Sequence, residues 1–132
     1  MPEFSQKSLN KLQQCHPQLQ QLFLEVIKER DCTVICGYRG KAEQDEAFYS
    51  GNSKVKWPNG KHNKFPSLAV DVWPYPYPRT ESGALDSNSR VWDEFAEFVL
   101  QKAEEMGIEI TWGGTWASLK DKPHFELKNT NK

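Results

Sequence analysis

Apolar positions along the chain follow two periods. Pro17 opens a segment in which Leu19, Leu22, Phe23, Val26 and Ile27 recur at helical spacing. A helix is expected there, with proline in a first turn that has no use for its missing amide donor. A shorter helix from Ser5 to Gln14 precedes it, and Lys41 to Ser50 reads as a third, with Gly51 placed to end it. From Arg90 to Met106 a longer helix turns Trp92, Phe95, Val99 and Met106 to one side, and Gly107 closes it. The other segments alternate. Ser67 to Trp73 puts Leu68, Val70 and Val72 on one face and Ala69, Asp71 and Trp73 on the other. Pro123 to Leu127 sends Phe125 and Leu127 to the core and gives His124 and Glu126 a shared face. Thr33 to Cys36 and Ile108 to Trp112 read as two further strands.

The connections carry turn chemistry. Gly37-Tyr38-Arg39-Gly40 is a turn holding a lone arginine, and Gly113-Gly114 is another. Pro74-Tyr75-Pro76-Tyr77-Pro78 lacks the amide donors of a central strand, so the chain leaves the sheet there in a stiff, extended form. Asn52 to Pro66, with Lys54, Lys56, Lys61 and Lys64 beside Trp57, reads as a solvated loop. Arg79 to Ser89 and Ala117 to Lys122 are polar loops, and Lys128 to Lys132 a frayed tail. Helices and strands mix without a regular βαβ rhythm, which makes the class α+β.

Composition narrows the function. At 132 residues the chain is expected to be a single domain, 1–132, with one modest core. With 37% hydrophobic and 27% charged residues and a net charge of −1, it is neither disordered nor a nucleic-acid binder. The first residues contain no apolar signal-peptide core and no stretch spans a bilayer, so no membrane insertion is expected and the chain is expected to stay soluble. Cys15, Cys32 and Cys36 are odd in number and read as buried thiols; Cys32 and Cys36 lack the second pair a zinc finger requires. His16, before Pro17, reads as a helix cap or a water-facing side chain.

Chemistry enters with three residues. Asp71 and His124 stand on two strands opposite their apolar faces, and His62 lies on the loop leading into the first. Two histidines and a carboxylate, with a fourth position left for water, are one of the standard catalytic zinc sets. Spacing alone also fits hydrogen-bonded or surface histidines.

A resemblance selects between these. Lys61-His62-Asn63-Lys64-Phe65-Pro66-Ser67-Leu68-Ala69-Val70-Asp71-Val72, followed by Pro74-Tyr75-Pro76, resembles the first zinc-binding motif of the D-alanyl-D-alanine carboxypeptidase and phage L-alanyl-D-glutamate endolysin family. Asp121-Lys122-Pro123-His124-Phe125 resembles the second motif. Cys36-Gly37-Tyr38-Arg39 with Gln44 is similar to the family's arginine turn, and Trp112-Gly113-Gly114 to the segment before its second motif. The resemblance implies a hedgehog/DD-peptidase-like fold: a small antiparallel sheet carrying the zinc site, packed against helices. At this length no separate cell-wall-binding domain is expected. It implies that His62, Asp71 and His124 bind Zn2+, that Asp121 is the general base, and that Arg39 contacts a substrate carbonyl or carboxylate. Glu126, on the same strand face as His124, is the competing base. Gly60 and Thr115 depart from the family pattern, at positions commonly serine and aspartate, which bears on the hydrogen bonding around the ligands.

Small size, a single domain and the missing export signal make a phage endolysin hydrolysing the L-Ala–D-Glu bond of the peptidoglycan stem peptide the leading expectation within this family. The lysin is expected to act as a monomer and to wait in the host cytoplasm for release by a separate holin. The alternatives are a D-Ala-D-Ala carboxypeptidase or dipeptidase, and a non-catalytic zinc-binding or virion module. Trp57, Trp73, Tyr75, Tyr77, Trp112 and Trp116 are candidates for lining a cleft, with only Trp73 and Trp112 expected near the metal.

Overall fold

The computed structural model describes residues 2–51, 53, 55–116 and 121–128. Lys54, the tail beyond residue 128 and most of the loop expected at Ala117 to Lys122 lie outside them. The helices are α1 (Gln6–Leu12), α2 (Pro17–Val26), α3 (Lys41–Tyr49) and α4 (Arg90–Met106). The strands are β1 (Cys32–Cys36), β2 (Ala69–Pro74), β3 (Ile110–Trp112) and β4 (His124–Leu127), paired antiparallel in the order β1-β2-β4-β3. The class is α+β, as the sequence pattern indicates. None of the described helices is long and apolar enough to cross a membrane.

Helix ends follow local chemistry. Ser5 caps α1 by accepting from the Ser8 amide at 3.2 Å, and Ser89 caps α4 through the Val91 amide at 3.1 Å. His16 is the cap of α2, its Nδ1 accepting from the Gln18 amide at 3.1 Å. Gly107 ends α4 at φ +73°, a conformation that glycine adopts without strain. This closure uses the Ile108 amide, which donates to the Ala103 carbonyl at 2.9 Å, so β3 begins two residues later than the apolar pattern suggests.

One face of the sheet is apolar and covered. Val34, Val70, Val72, Phe125 and Leu127 meet Leu19, Leu22, Phe23 and Val26 of α2 and Phe95, Ala96, Val99 and Ala103 of α4. Phe125 lies at the centre, edge to face with Phe23 at 5.6 Å and with Phe95 at 6.3 Å. Edge strand β1 gains a partner outside the sheet, since Ser8 Oγ accepts from the Val34 amide at 3.1 Å.

The opposite face is polar, and register decides what meets there. Asp71 of β2 pairs with His124 of β4 on one side and with Cys36 of β1 on the other. Directly paired residues of antiparallel strands project to the same face. The β1–β2 register shifts between Val34 and Cys36, at the point where β1 runs into the turn bearing Arg39.

Candidate metal centre

His62 reaches this polar face from one turn of 3-10 helix, Lys61–Asn63, inside the segment read from sequence as a solvated loop. Tertiary hydrogen bonds hold the turn. The His62 carbonyl accepts from the Arg39 amide at 2.7 Å, and Asn63 Nδ2 donates to the Arg39 carbonyl at 3.0 Å. Asn63 Oδ1 accepts from the amide of Gly60, where a Cβ would come within 2.8 Å of that oxygen. Glycine therefore fits the turn where the family pattern commonly has serine.

His62 Nε2, Asp71 Oδ1 and His124 Nδ1 form a nearly equilateral triangle. Its sides are 3.2 Å from His62 to Asp71, 3.3 Å from His62 to His124 and 3.2 Å from His124 to Asp71. Atoms about 2.0–2.1 Å from one tetrahedral ion lie about 3.3 Å apart. The outer nitrogens face obligate acceptors: His62 Nδ1 is 2.7 Å from the Gly37 carbonyl, and His124 Nε2 is 2.7 Å from Glu126 Oε1. Each outer nitrogen therefore carries the proton, which leaves the inner nitrogens as lone pairs facing a carboxylate. Three acceptors so arranged require positive charge between them, and two imidazoles with one carboxylate suit zinc.

The titration behaviour shows the same demand. Burial pushes the His62 pKa down, but the Asp71 carboxylate outweighs it and holds the value at about 10. His124 is also raised, its bonds to Asp71 and Glu126 exceeding the effect of burial. Asp71 is held below the usual carboxylate range, because His62 and His124 overcome its burial. Without metal, protons supply the charge. The His62 contribution to stability is then full below its ordinary 6.5 and is lost as pH rises through about 10. The Asp71 contribution is present above its ordinary 3.8 and is lost as pH falls through its lowered value. A bound metal must displace the histidine protons, so the rise in Tm on adding zinc should grow from about pH 5.5 to about pH 8. Paired thermal melts with zinc and with chelator measure it; a rise that shrank over this range would rule out histidine ligation.

Asp121 stands beside the triangle, with Oδ2 3.9 Å from His124 Nδ1. Its amide donates to the Gly113 carbonyl at 3.0 Å and its carbonyl accepts from the His124 amide at 3.1 Å, so the turn into β4 fixes it. Burial and the nearby Asp71 charge raise its pKa, which makes the carboxylate a better proton acceptor. Gly113 makes this approach possible, because a Cβ there would collide with the Asp121 carbonyl and lie 3.1 Å from His124 Cβ. Gly113→Ala is expected to lower stability by about 1–3 kcal/mol and to weaken metal retention, as denaturant melts with and without zinc would show.

Glu126 lies on the other side of His124. It binds the outer nitrogen and pairs through Oε2 with Lys61 Nζ at 3.2 Å, and its pKa is lowered: His124 and Lys61 prevail over burial. Lys61 is thus part of the site's support and not a solvated loop lysine. Arg39 is anchored by Gln44, whose Oε1 accepts from Nη1 at 3.1 Å, and its Nη2 is 3.6 Å from Asp71 Oδ2. Gln44 is fully buried and also binds Asn63 and Ser53, tying the arginine turn to the His62 turn.

Sequence reasoning missed several neighbours. Cys36, read as a buried thiol, is half-buried, with Sγ 3.9 Å from His62 Nδ1. Cys15 and Cys32 are buried, and burial pushes each thiol up to about 12. Trp116, which the sequence pattern does not put near the metal, has its ring centroid 5.0 Å from that of His124. Trp112 donates from Nε1 to the Lys122 carbonyl at 2.7 Å, bracing the segment between Asp121 and His124. Trp73 packs edge to face on Tyr77 and Trp92, and Tyr77 in turn on Tyr75.

Comparison with known proteins gives concordant results. The family model for phage L-alanyl-D-glutamate peptidase matches residues 2–130. The peptidoglycan L-alanyl-D-glutamate endopeptidase CwlK of Bacillus subtilis (strain 168) is 31% identical over 114 residues, covering 74% of this chain and 60% of CwlK. The chain thus spans about 60% of the length of that relative. The crystal structure of the Serratia marcescens L-Ala D-Glu endopeptidase ChiX superposes with a TM-score of 0.76 at 28% identity, covering 96% of this chain and 91% of ChiX. Matched over nearly its whole length, the chain belongs to the phage L-alanyl-D-glutamate peptidase family.

Proposed function

We propose that the protein is a zinc-dependent peptidoglycan peptidase of the phage endolysin type, hydrolysing the L-Ala–D-Glu bond of the stem peptide. The observation that carries this reading is the triangle of His62 Nε2, Asp71 Oδ1 and His124 Nδ1, with the Asp121 carboxylate beside it. The names of the family and of CwlK and ChiX supply the bond. In this role the enzyme stays in the host cytoplasm until a separate holin opens the membrane.

Zinc at this site would supply Lewis acidity, activating water near neutral pH and polarising the scissile carbonyl. The chain supplies the rest. Asp121 takes a proton from the attacking water as its oxygen bonds to the L-Ala carbonyl carbon, and returns a proton to the D-Glu nitrogen as the C–N bond breaks. The products are an L-Ala carboxylate and a D-Glu amine. Arg39, fixed by Gln44, offers its guanidinium to the charge that develops on the carbonyl oxygen. Glu126 and the Gly37 carbonyl keep the two imidazoles in the ligating tautomer.

Digestion of purified peptidoglycan, followed by mass spectrometry of the new ends, tests the reading. New amino-terminal D-Glu is expected. Free D-Ala would assign the site to a D,D-carboxypeptidase, and no product from zinc-loaded protein would make it a non-catalytic zinc module.

A further inference from the structure

A cavity of about 270 Å³ opens beside Asp121, which forms part of its lining. Trp73, Trp92 and Leu85 form its apolar wall, and Asn88, Asp121 and Lys122 supply its polar groups. Sites that enclose a drug-sized ligand run to about 300–1,000 Å³, so this space suits a single residue of a longer substrate. Its walls are held in place. Trp92 stands edge to face against Trp73 at 6.0 Å and donates from Nε1 to the Asp86 carbonyl at 2.8 Å, fixing the loop that carries Leu85 and Asn88.

Proton transfer gives the cavity a direction. Under the function proposed above, on which this inference rests, Asp121 hands its proton to the departing amine. The cavity that Asp121 lines is therefore on the amine side of the scissile bond and receives the D-glutamyl residue. Glutamate has two carboxyl groups; joined onward through one, it keeps the other. A carboxylate arriving beside Asp121 needs a counter-charge. Lys122 is the cation in the cavity wall, with its side chain 22% exposed and Nζ 3.6 Å from Asp93 Oδ1. That separation exceeds hydrogen-bond length, so Asp93 orients the ammonium without saturating its donors.

We infer that Lys122 is a specificity-determining residue that binds the unlinked carboxylate of D-glutamate, and that the cavity between Trp73 and Lys122 is the subsite for this residue. The enzyme accordingly discriminates against stem peptides in which this carboxylate is amidated.

Two synthetic stem peptides, one with the free D-glutamate carboxylate and one with its amide, provide the test. The zinc-loaded parent is expected to favour the free acid by about 10- to 100-fold in kcat/KM. Lys122→Met keeps the aliphatic stem and should bring this ratio close to one, while Lys122→Arg should retain most of it. Equal cleavage of the two peptides by the parent, or an unchanged ratio in Lys122→Met, would overturn the assignment. If neither peptide is cleaved, the proposed function fails, and quenching of tryptophan fluorescence by the γ-D-glutamyl product peptide and its amide still decides the role of Lys122. Tighter binding of the acid by the parent but not by Lys122→Met supports it; equal binding refutes it.

Discussion

Alanine at Asp121 is expected to leave one zinc bound per chain and to lower kcat by about a hundred- to ten-thousand-fold. The side chain stands 3.9 Å from His124 Nδ1 without forming a side of the triangle, so under the proposed mechanism its loss would remove the proton carrier and keep the ligands. Glu126 is poorly placed to replace it. Its carboxylate is engaged by His124 Nε2 and Lys61 on the side of the ring that faces away from the triangle. Zinc content by atomic absorption and steady-state turnover on the same preparation check both halves. Parent-like turnover in Asp121→Ala would remove the aspartate from the mechanism, and loss of zinc would make it a ligand.

Alanine at His124 should have the larger effect on the metal. It removes one corner of the triangle and leaves Asp71 and Glu126 without the imidazole that joins them. Zinc affinity is expected to fall by well over about a hundredfold and activity to vanish with it. Glu126→Gln removes only the carboxylate charge behind that imidazole, so its expected loss of affinity is about 10- to 100-fold. Competition titrations against a chelator would establish the order parent, Glu126→Gln, His124→Ala. Equal affinity in His124→Ala and the parent would mean that the metal sits elsewhere.

The strands bearing the site were legible because alternation is a local property. Val70 and Val72 against Asp71, and Phe125 and Leu127 against His124 and Glu126, declare their faces without knowledge of the fold. Pro17, Gly51 and Gly107 likewise marked helix ends through backbone restrictions that each residue carries with it. Register was not legible. Nothing local states that Asp71 lies opposite both His124 and Cys36, so the half-buried place of Cys36 beside His62 could not be read. The Lys61–Asn63 turn was hidden for a similar reason, since its shape depends on hydrogen bonds from Arg39 and Asn63 that cross more than twenty residues of chain. Gln44 is in sequence only one polar residue of a motif, and it is its partners in the fold, Arg39 and Asn63, that make it the buried joint between two turns. Lys61 illustrates a limit of composition: four lysines near a tryptophan suggested a solvated loop, yet this one supports Glu126.

X-ray absorption at the zinc edge of the loaded protein tests the central claim most directly. Ligation by His62, Asp71 and His124 is expected to give a single shell of nitrogen and oxygen at about 2.0–2.2 Å, with imidazole scattering beyond it. A sulfur shell at about 2.3 Å would place Cys36 on the metal and contradict the assignment, as would a spectrum without imidazole scattering.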